Sequence, residues 1–509
     1  MNAFALLRAL ALTVVSTFAL LGADPAPAPT ATPKVEPAVP DAVTHHSIRL
    51  GGKVLAYTAR AGTIALHDDS GALTARMFYV AYTADRADLR RRPVTFFYNG
   101  GPGSSTIWLH MASFSPVRVV TPNGVGTGPP PFALVDNADT LLDKSDLVFV
   151  DAPNTGFSRV LGAGQPKDFM GVDQDARAFR QFIERYDTTF DRWNSPKFLF
   201  GESYGTTRDC VLAHMLQDAG TQLNGVVLLS SILNFGLGGS QVAGGDYAFV
   251  GYLPTMAATA WYHHKAPAAG NRSLDAFLSD VERFAGGEYR HALAQGADLD
   301  RAEFDRVVSA LHGYTGLSEA YLRASNLRVP YDRFLKELLR GGDRIAGRYD
   351  GRFTTYALDG TGDDPEWDPS DVAINGVVIG SFNRYIRESL HYYSDAQYRP
   401  TAYGGQLGAR WDMHHEGENP PANVAPDLAM TMEQYPALRV FSANGRYDFA
   451  TPYYSTVYTL THLNLPSALQ RHLTFGFYES GHMVYLNPQS RARFKADLNR
   501  WYDEATRGR

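Results

Sequence analysis

Five residues, Gly201-Glu202-Ser203-Tyr204-Gly205, constrain what this chain can fold into more than any other stretch. They follow the apolar run Lys197-Phe198-Leu199-Phe200 and precede a helical pattern over residues 206–216. Strand, Gly-x-Ser-x-Gly, helix is the context of a nucleophile elbow. The two glycines leave room for a sharp turn that lifts the Ser203 hydroxyl clear of a sheet edge. The N–H of Tyr204 then points out of a helix N-terminus, where developing negative charge is stabilised. A Gly-Ser-Gly turn formed by chance is the competing reading, and the rest of the chain must decide between them.

The flanking strands favour the elbow. Val94-Thr95-Phe96-Phe97-Tyr98 reads as a buried strand that ends in Asn99-Gly100-Gly101-Pro102-Gly103-Ser104-Ser105. Glycines directly after a strand let backbone N–H groups approach a ligand, as an oxyanion hole requires. The Gly-Lys-Ser/Thr of a phosphate-binding loop is missing. Asp146-Leu147-Val148-Phe149-Val150-Asp151 is a second core strand, a helix is expected over residues 173–186, and Val226-Val227-Leu228-Leu229 follows the elbow helix. Alternating strands and helices predict a mainly parallel sheet covered on both faces, with ligands beyond the carboxyl ends of its strands. Further on, Asp448 follows the strand pattern Leu438-Arg439-Val440-Phe441-Ser442-Ala443, and His482 follows Leu473-Thr474-Phe475-Gly476-Phe477. Ser, then Asp, then His, each just after a strand, is the chain order of an α/β-hydrolase triad. In that chemistry His removes the serine proton and Asp holds the imidazole in the useful tautomer.

The remaining segments are organised around this core. Residues 1–23 read as a signal peptide, with Arg8 before an apolar stretch and Gly22-Ala23 after it. The stretch is short for a membrane span, so a soluble chain after signal removal, secreted or periplasmic, is expected. Residues 24–45 are rich in Pro and Ala and read as a linker. Between Ser47 and Thr83, three short alternating runs (54–57, 62–66 and 75–82) read as antiparallel edge strands. The hydrolase core is expected over residues 46–234 and 427–509, interrupted by a mostly helical lid over residues 235–426. The pairs His263-His264 and His414-His415 lie in that insertion. Neighbouring residues cannot share a helix face, so surface or hydrogen-bonded histidines are expected there rather than a metal site.

Composition narrows the function classes. A net charge of −6 with no long basic block offers no footprint for nucleic acid. One cysteine, Cys210, excludes an internal disulfide and a Cys-rich metal site, and its apolar helix predicts a buried thiol.

Taken together, Asn99 to Ser105, Asp151-Ala-Pro-Asn-Thr-Gly-Phe-Ser158, Gly201 to Gly205, Asp448 and Gly481-His-Met-Val484 resemble the serine carboxypeptidase family, in a bacterial-type member without the family's disulfides. The resemblance implies a serine-type carboxypeptidase with Ser203 as nucleophile, His482 as base and Asp448 as its orienter, needing no cofactor or metal. It implies an oxyanion hole from the N–H groups of Gly101 and Tyr204. Asn99, Gly100 and Glu202 would bind the free carboxylate of a peptide or protein C-terminus. A carboxylate beside Glu202 would repel it unless Glu202 carries a proton and donates a hydrogen bond. A buried Glu202 that merely braces the elbow is the alternative. Three positions depart from the family pattern: Ser104 replaces a Cys, Ser113 aligns with a second Glu that partners the elbow Glu, and Thr206 replaces a Gly. An esterase or acyltransferase on the same fold, and a catalytically silent binding protein, are the competing functions.

Overall fold

Nine strands of one sheet carry the fold in a computed structural model of the chain, which describes residues 38–238, 245–402, 407 and 410–507. The expected signal peptide and most of the expected linker lie outside the described residues. The strands are β1 (Ala42–Leu50), β2 (Lys53–His67), β3 (Leu73–Ala84), β4 (Val94–Tyr98), β5 (Asp146–Val150), β6 (Lys197–Glu202), β7 (Gly225–Leu229), β8 (Arg439–Gly445) and β9 (Leu473–Tyr478). Their order is β1-β2-β3-β5-β4-β6-β7-β8-β9, and the two-residue strand Arg159–Val160 pairs beside β3. Pairing is antiparallel from β1 to β5 and parallel from β5 through β9.

Burial explains the split. β4, β5, β6 and β7 are buried at every residue, as unbroken apolar strands covered on both faces must be. β2 alternates buried and half-exposed positions, burying Tyr57, Ala59 and Ala61 in one core and, past Gly62, Ile64 and Leu66 in the other. The two runs expected over 54–57 and 62–66 are one 15-residue strand, because its pairing with β3 runs without a break from Tyr57 to Leu66. β1 likewise begins at Ala42, inside the stretch read as linker, where its backbone pairs with β2 from Ala61 onward.

The main helices, in chain order, are α1 (Ile107–Ala112), α2 (Val172–Thr189), α3 (Tyr204–Asp218), α4 (Tyr247–Tyr262), α5 (Leu274–Phe284), α6 (Arg301–Thr315), α7 (Pro369–Glu388), α8 (Ala425–Gln434), α9 (Tyr453–Thr461) and α10 (Pro488–Ala505). α2, α3 and α8 cover one face through Phe179, Phe182, Val211, Leu212 and Leu428. α1, α7 and α10 cover the other through Leu109, Phe382 and Phe494. A third core, built on α4, α5 and α6, is separate from both.

The segment 235–426 is therefore not uniform. α4 to α6 fold around their own core, whereas Val377, Val378 and Phe382 of α7 join the core of the sheet. A small hairpin, Arg344–Ala346 with Thr354–Tyr356, stands between the two parts. Among the described residues no helix is long and apolar enough to cross a membrane.

Candidate active site

Register brings the loops together before any side chain is considered. Tyr98, the last residue of β4, lies opposite Gly201, and Glu202 lies opposite Leu229. Leu229 in turn lies opposite Ala443. The loops after β4, β6, β8 and β9 thus leave the same edge of the sheet.

Ser203 sits in the strained turn that the elbow pattern predicts, with φ 61° and ψ −128°. A non-glycine residue there costs roughly 1–3 kcal/mol, which surrounding contacts must offset. The Ser203 N–H donates to Leu229 O at 3.0 Å, and the Thr206 N–H and hydroxyl donate to Ser203 O at 2.8 and 2.7 Å. The Thr206 oxygen also accepts from the Ile232 N–H at 3.0 Å. Thr206, where a glycine is usual, thereby ties the start of α3 to the loop after β7. A Cβ on Gly201 would lie 2.3 Å from Gly205 O, so the turn closes only with glycine. Within residues 195–213 only Ser203 is not fully buried.

The loop after β4 packs onto this turn just as closely. A Cβ on Gly100 would lie 2.4 Å from the Tyr204 nitrogen, which sets the Gly101 loop beside the Tyr204 N–H. Asn99 Oδ1 caps α1 by accepting from the Leu109 N–H at 3.0 Å. Beneath it the buried Arg208 guanidinium donates to Asn99 O at 3.0 Å and to Asp175 at 2.6 Å, and lies over the Phe179 ring. Asp209 accepts from the Gly201 N–H at 2.9 Å and from the Tyr98 hydroxyl, and burial pushes its carboxyl up to about 8. These supports were not read from the sequence. The signal was an Arg-Asp pair inside an otherwise apolar helix, a combination that burial tolerates only with partners.

On the other side, His482 Nδ1 lies 2.9 Å from Asp448 Oδ2. Asp448 is fully buried, and its remaining lone pairs accept from the N–H groups of Ala450 and Thr451 and from the Thr451 hydroxyl. Burial pulls the His482 pKa down, but the Asp448 charge and hydrogen bond, with Glu202 nearby, outweigh it and leave the imidazole above its ordinary value. The His482 loop is held from outside the core. Tyr349 stacks on the imidazole at 5.2 Å and accepts from the His482 N–H at 2.6 Å. Asp350 accepts from the Gly481 N–H at 3.0 Å while pairing with Arg352, which also donates to Glu479 O.

Glu202 is buried, and its carboxyl is pushed up to about 7 by that burial, against the opposing pull of His482 and of hydrogen bonds. The Tyr485 hydroxyl donates to Oε2 at 2.8 Å, and the Asn99 side chain also bonds the carboxyl. Ser113 turns its hydroxyl to Leu109 O instead. The neighbour of Glu202 is therefore a phenol, three residues beyond His482, rather than a second carboxyl.

Asn99, Gly100, Gly101, Glu202, Ser203 and His482 all line one cavity of about 100 Å³, with Trp108, Arg348, Tyr349, Asp371 and Met483 around them. Tyr204, whose nitrogen lies close to Gly100, and Asp448, bonded to His482, are not among the residues that line it. Of the histidine pairs expected at the surface or in hydrogen bonds, His264 is exposed and the other three take protein partners. His263 bonds Gly351 O, His414 bonds Asp412, and His415 lies between Asp173 and Asp427. Cys210 is buried.

A family model described as serine carboxypeptidase matches residues 57–243. A pheromone-processing carboxypeptidase, KEX1, of Cryptococcus gattii is 28% identical over 172 residues, 33% of this chain and 24% of that protein. The match thus spans about a quarter of that relative's length. The crystal structure of Kex1(delta)p, a prohormone-processing carboxypeptidase from Saccharomyces cerevisiae, superposes with a TM-score of 0.53 at 16% identity. The superposition covers 88% of this chain and 92% of that one. At that identity the likeness speaks for the fold, the α/β-hydrolase fold.

Proposed function

We propose that the chain is a serine carboxypeptidase, a reading supported by the family model over residues 57–243 and the 28% identical KEX1 segment, and that it releases C-terminal residues from peptides through an acyl-enzyme on Ser203. His482 removes the Ser203 proton as the hydroxyl attacks the scissile carbonyl, and Asp448 steadies the imidazolium. The N–H groups of Gly101 and Tyr204 receive the oxyanion. His482 then gives its proton to the leaving amino group, and water, activated by the same imidazole, releases the acyl peptide.

The observation that carries the carboxypeptidase reading, rather than a general esterase, is Glu202. A buried carboxyl pushed up to about 7 and placed beside Ser203 holds a proton at mildly acidic pH. Its second oxygen can then donate to a substrate carboxylate, with Asn99 and the Gly100 backbone completing the site. Glu202 and His482 interact, so they titrate as a pair. The productive form has Glu202 protonated and His482 neutral, which is one proton shared between two groups. Activity on free-acid peptides should therefore rise as His482 deprotonates and fall as Glu202 deprotonates.

A secreted or periplasmic location belongs to the same proposal, supported by the composition of residues 1–23. Covalent labelling tests the site: a fluorophosphonate should modify Ser203, and a free-acid peptide should slow that labelling more than its amide does. Modification of a different serine would remove the basis of the assignment.

A further inference from the structure

Arg348 is the one residue of the cavity wall that the reaction above leaves without a role and that carries a fixed positive charge. It stands on the inserted segment, one residue before Tyr349, with its backbone N–H held by Asp368 at 3.0 Å and its carbonyl by the Phe449 N–H at 3.0 Å. The half-buried guanidinium opens on the same cavity as Ser203 and Glu202. Other buried arginines in this molecule end on a carboxylate: Arg192 on Asp146, Arg208 on Asp175 and Arg352 on Asp350. Arg348 does not. Among the described residues its partners are aromatic: the Tyr331 hydroxyl, and Tyr349 through its hydroxyl and through its ring face at 5.4 Å. Asp371 lines the same cavity but is engaged elsewhere. It bonds Asn375, which accepts from the Trp108 indole at 3.0 Å.

A guanidinium taken out of bulk water needs an anion, and its planar fork matches a carboxylate. Among the described residues no carboxylate forms an ion pair with it, and the cavity is open to substrate. We infer that Arg348 binds a carboxylate of the substrate. Resting on the carboxypeptidase reading, this makes Arg348 a binding residue beyond the Asn99–Gly100–Glu202 set. Two substrate groups have the chemistry: the terminal carboxylate, and the side chain of an acidic C-terminal residue. The first would supply a counter-charge that the protonated Glu202 lacks, and the second would select acidic ends.

Competitive inhibition of simple-ester hydrolysis reads binding whether or not a peptide is cut. Acetyl-Ala-Leu, its amide, acetyl-Ala-Glu and its α-amide would be compared on wild type, Arg348→Met and Arg348→Lys. If Arg348 reads the terminal carboxylate, the preference for acetyl-Ala-Leu over its amide falls about ten- to a hundredfold in Arg348→Met. If it reads the side chain, the advantage of the Glu α-amide over the Leu amide falls by that factor instead. In either case Arg348→Lys, which keeps the charge without the fork, restores part of the ratio. Ratios unchanged in Arg348→Met, including the case where all four peptides weaken equally, overturn the inference. Wild type that binds these peptides with the expected ratios yet cuts none would refute the carboxypeptidase reading and leave the role of Arg348 standing.

Discussion

The two walls of the cavity are built in different ways. The Ser203 wall is the sheet itself: β4 and β6 in register, glycines at the close approaches, and the buried Arg208 and Asp209 network beneath. These braces come from within about a hundred residues of the serine, with more distant contacts added by Tyr485 on Glu202 and by Pro400 and Ala402 on the loop after β4. The His482 wall depends on a distant segment. Tyr349, Asp350 and Arg352, more than a hundred residues upstream, stack on, bond and cage the loop that carries the imidazole. One wall holds Ser203, the proposed nucleophile, in a strained turn locked into a core. The other holds His482, the proposed base, through contacts that an inserted segment must make. The comparison teaches that the insertion is part of the candidate catalytic apparatus as well as a cover over it.

The largest effect should come from the sheet wall. Ser203→Ala removes the nucleophile and should lower turnover of esters and peptides by at least about a thousandfold, with the melting temperature unchanged or raised. A mutant retaining most of its turnover would mean that another group does the chemistry.

A smaller but informative loss should come from the other wall. Asp350→Asn leaves Arg352 without its counter-charge and weakens the hold on Gly481, so the His482 loop gains freedom. The expected result is about a ten- to hundredfold fall in kcat on an ester with little change in KM, together with a loss of stability of about 3 kcal/mol. Destabilisation without a fall in kcat would reduce these residues to a structural role and erase the distinction between the walls.

The smallest effect is a displacement along the pH axis. Ionised Glu202 repels a substrate carboxylate, so kcat/KM for a free-acid peptide should fall as pH rises through about 7. Gln cannot ionise but can still donate, so Glu202→Gln should keep activity on the alkaline side and lose that limb by roughly one pH unit or more. The low-pH limb, set by His482 gaining its proton, should remain in both proteins and for esters. Superimposable alkaline limbs would show that Glu202 does not read the carboxylate.

The sheet wall was legible in the sequence because each of its features is local. An apolar strand followed at once by Asn99-Gly100-Gly101, or by Gly201 to Gly205, announces its turn chemistry within a few residues. Asp448 and His482 stand out the same way, from the strands that precede them, and the structure brings the two side chains within 2.9 Å. Tyr485 and Arg348 were not, because nothing near them in the chain states what they face. Tyr485 meets Glu202 across 283 positions, and Ser113 drew attention to a missing carboxyl where the structure supplies a phenol. The insertion was readable as helical from its pattern, yet its division between a separate core and α7, which packs on the sheet, depends on tertiary contacts. The long strand β2 was broken in two by the same limitation: a Gly inside an alternating run resembles a turn until its partner strand is known.

Comparing one peptide as its free acid and as its C-terminal amide separates carboxylate recognition from general hydrolysis. With product release followed at about pH 6, wild type should free the last residue of the acid, with kcat/KM for the amide at least about tenfold lower. Glu202→Gln should retain that preference at pH 8, where wild type has lost much of it. Equal rates on acid and amide in wild type, with the activity still abolished by Ser203→Ala, would contradict carboxylate recognition and leave a serine hydrolase of the esterase kind.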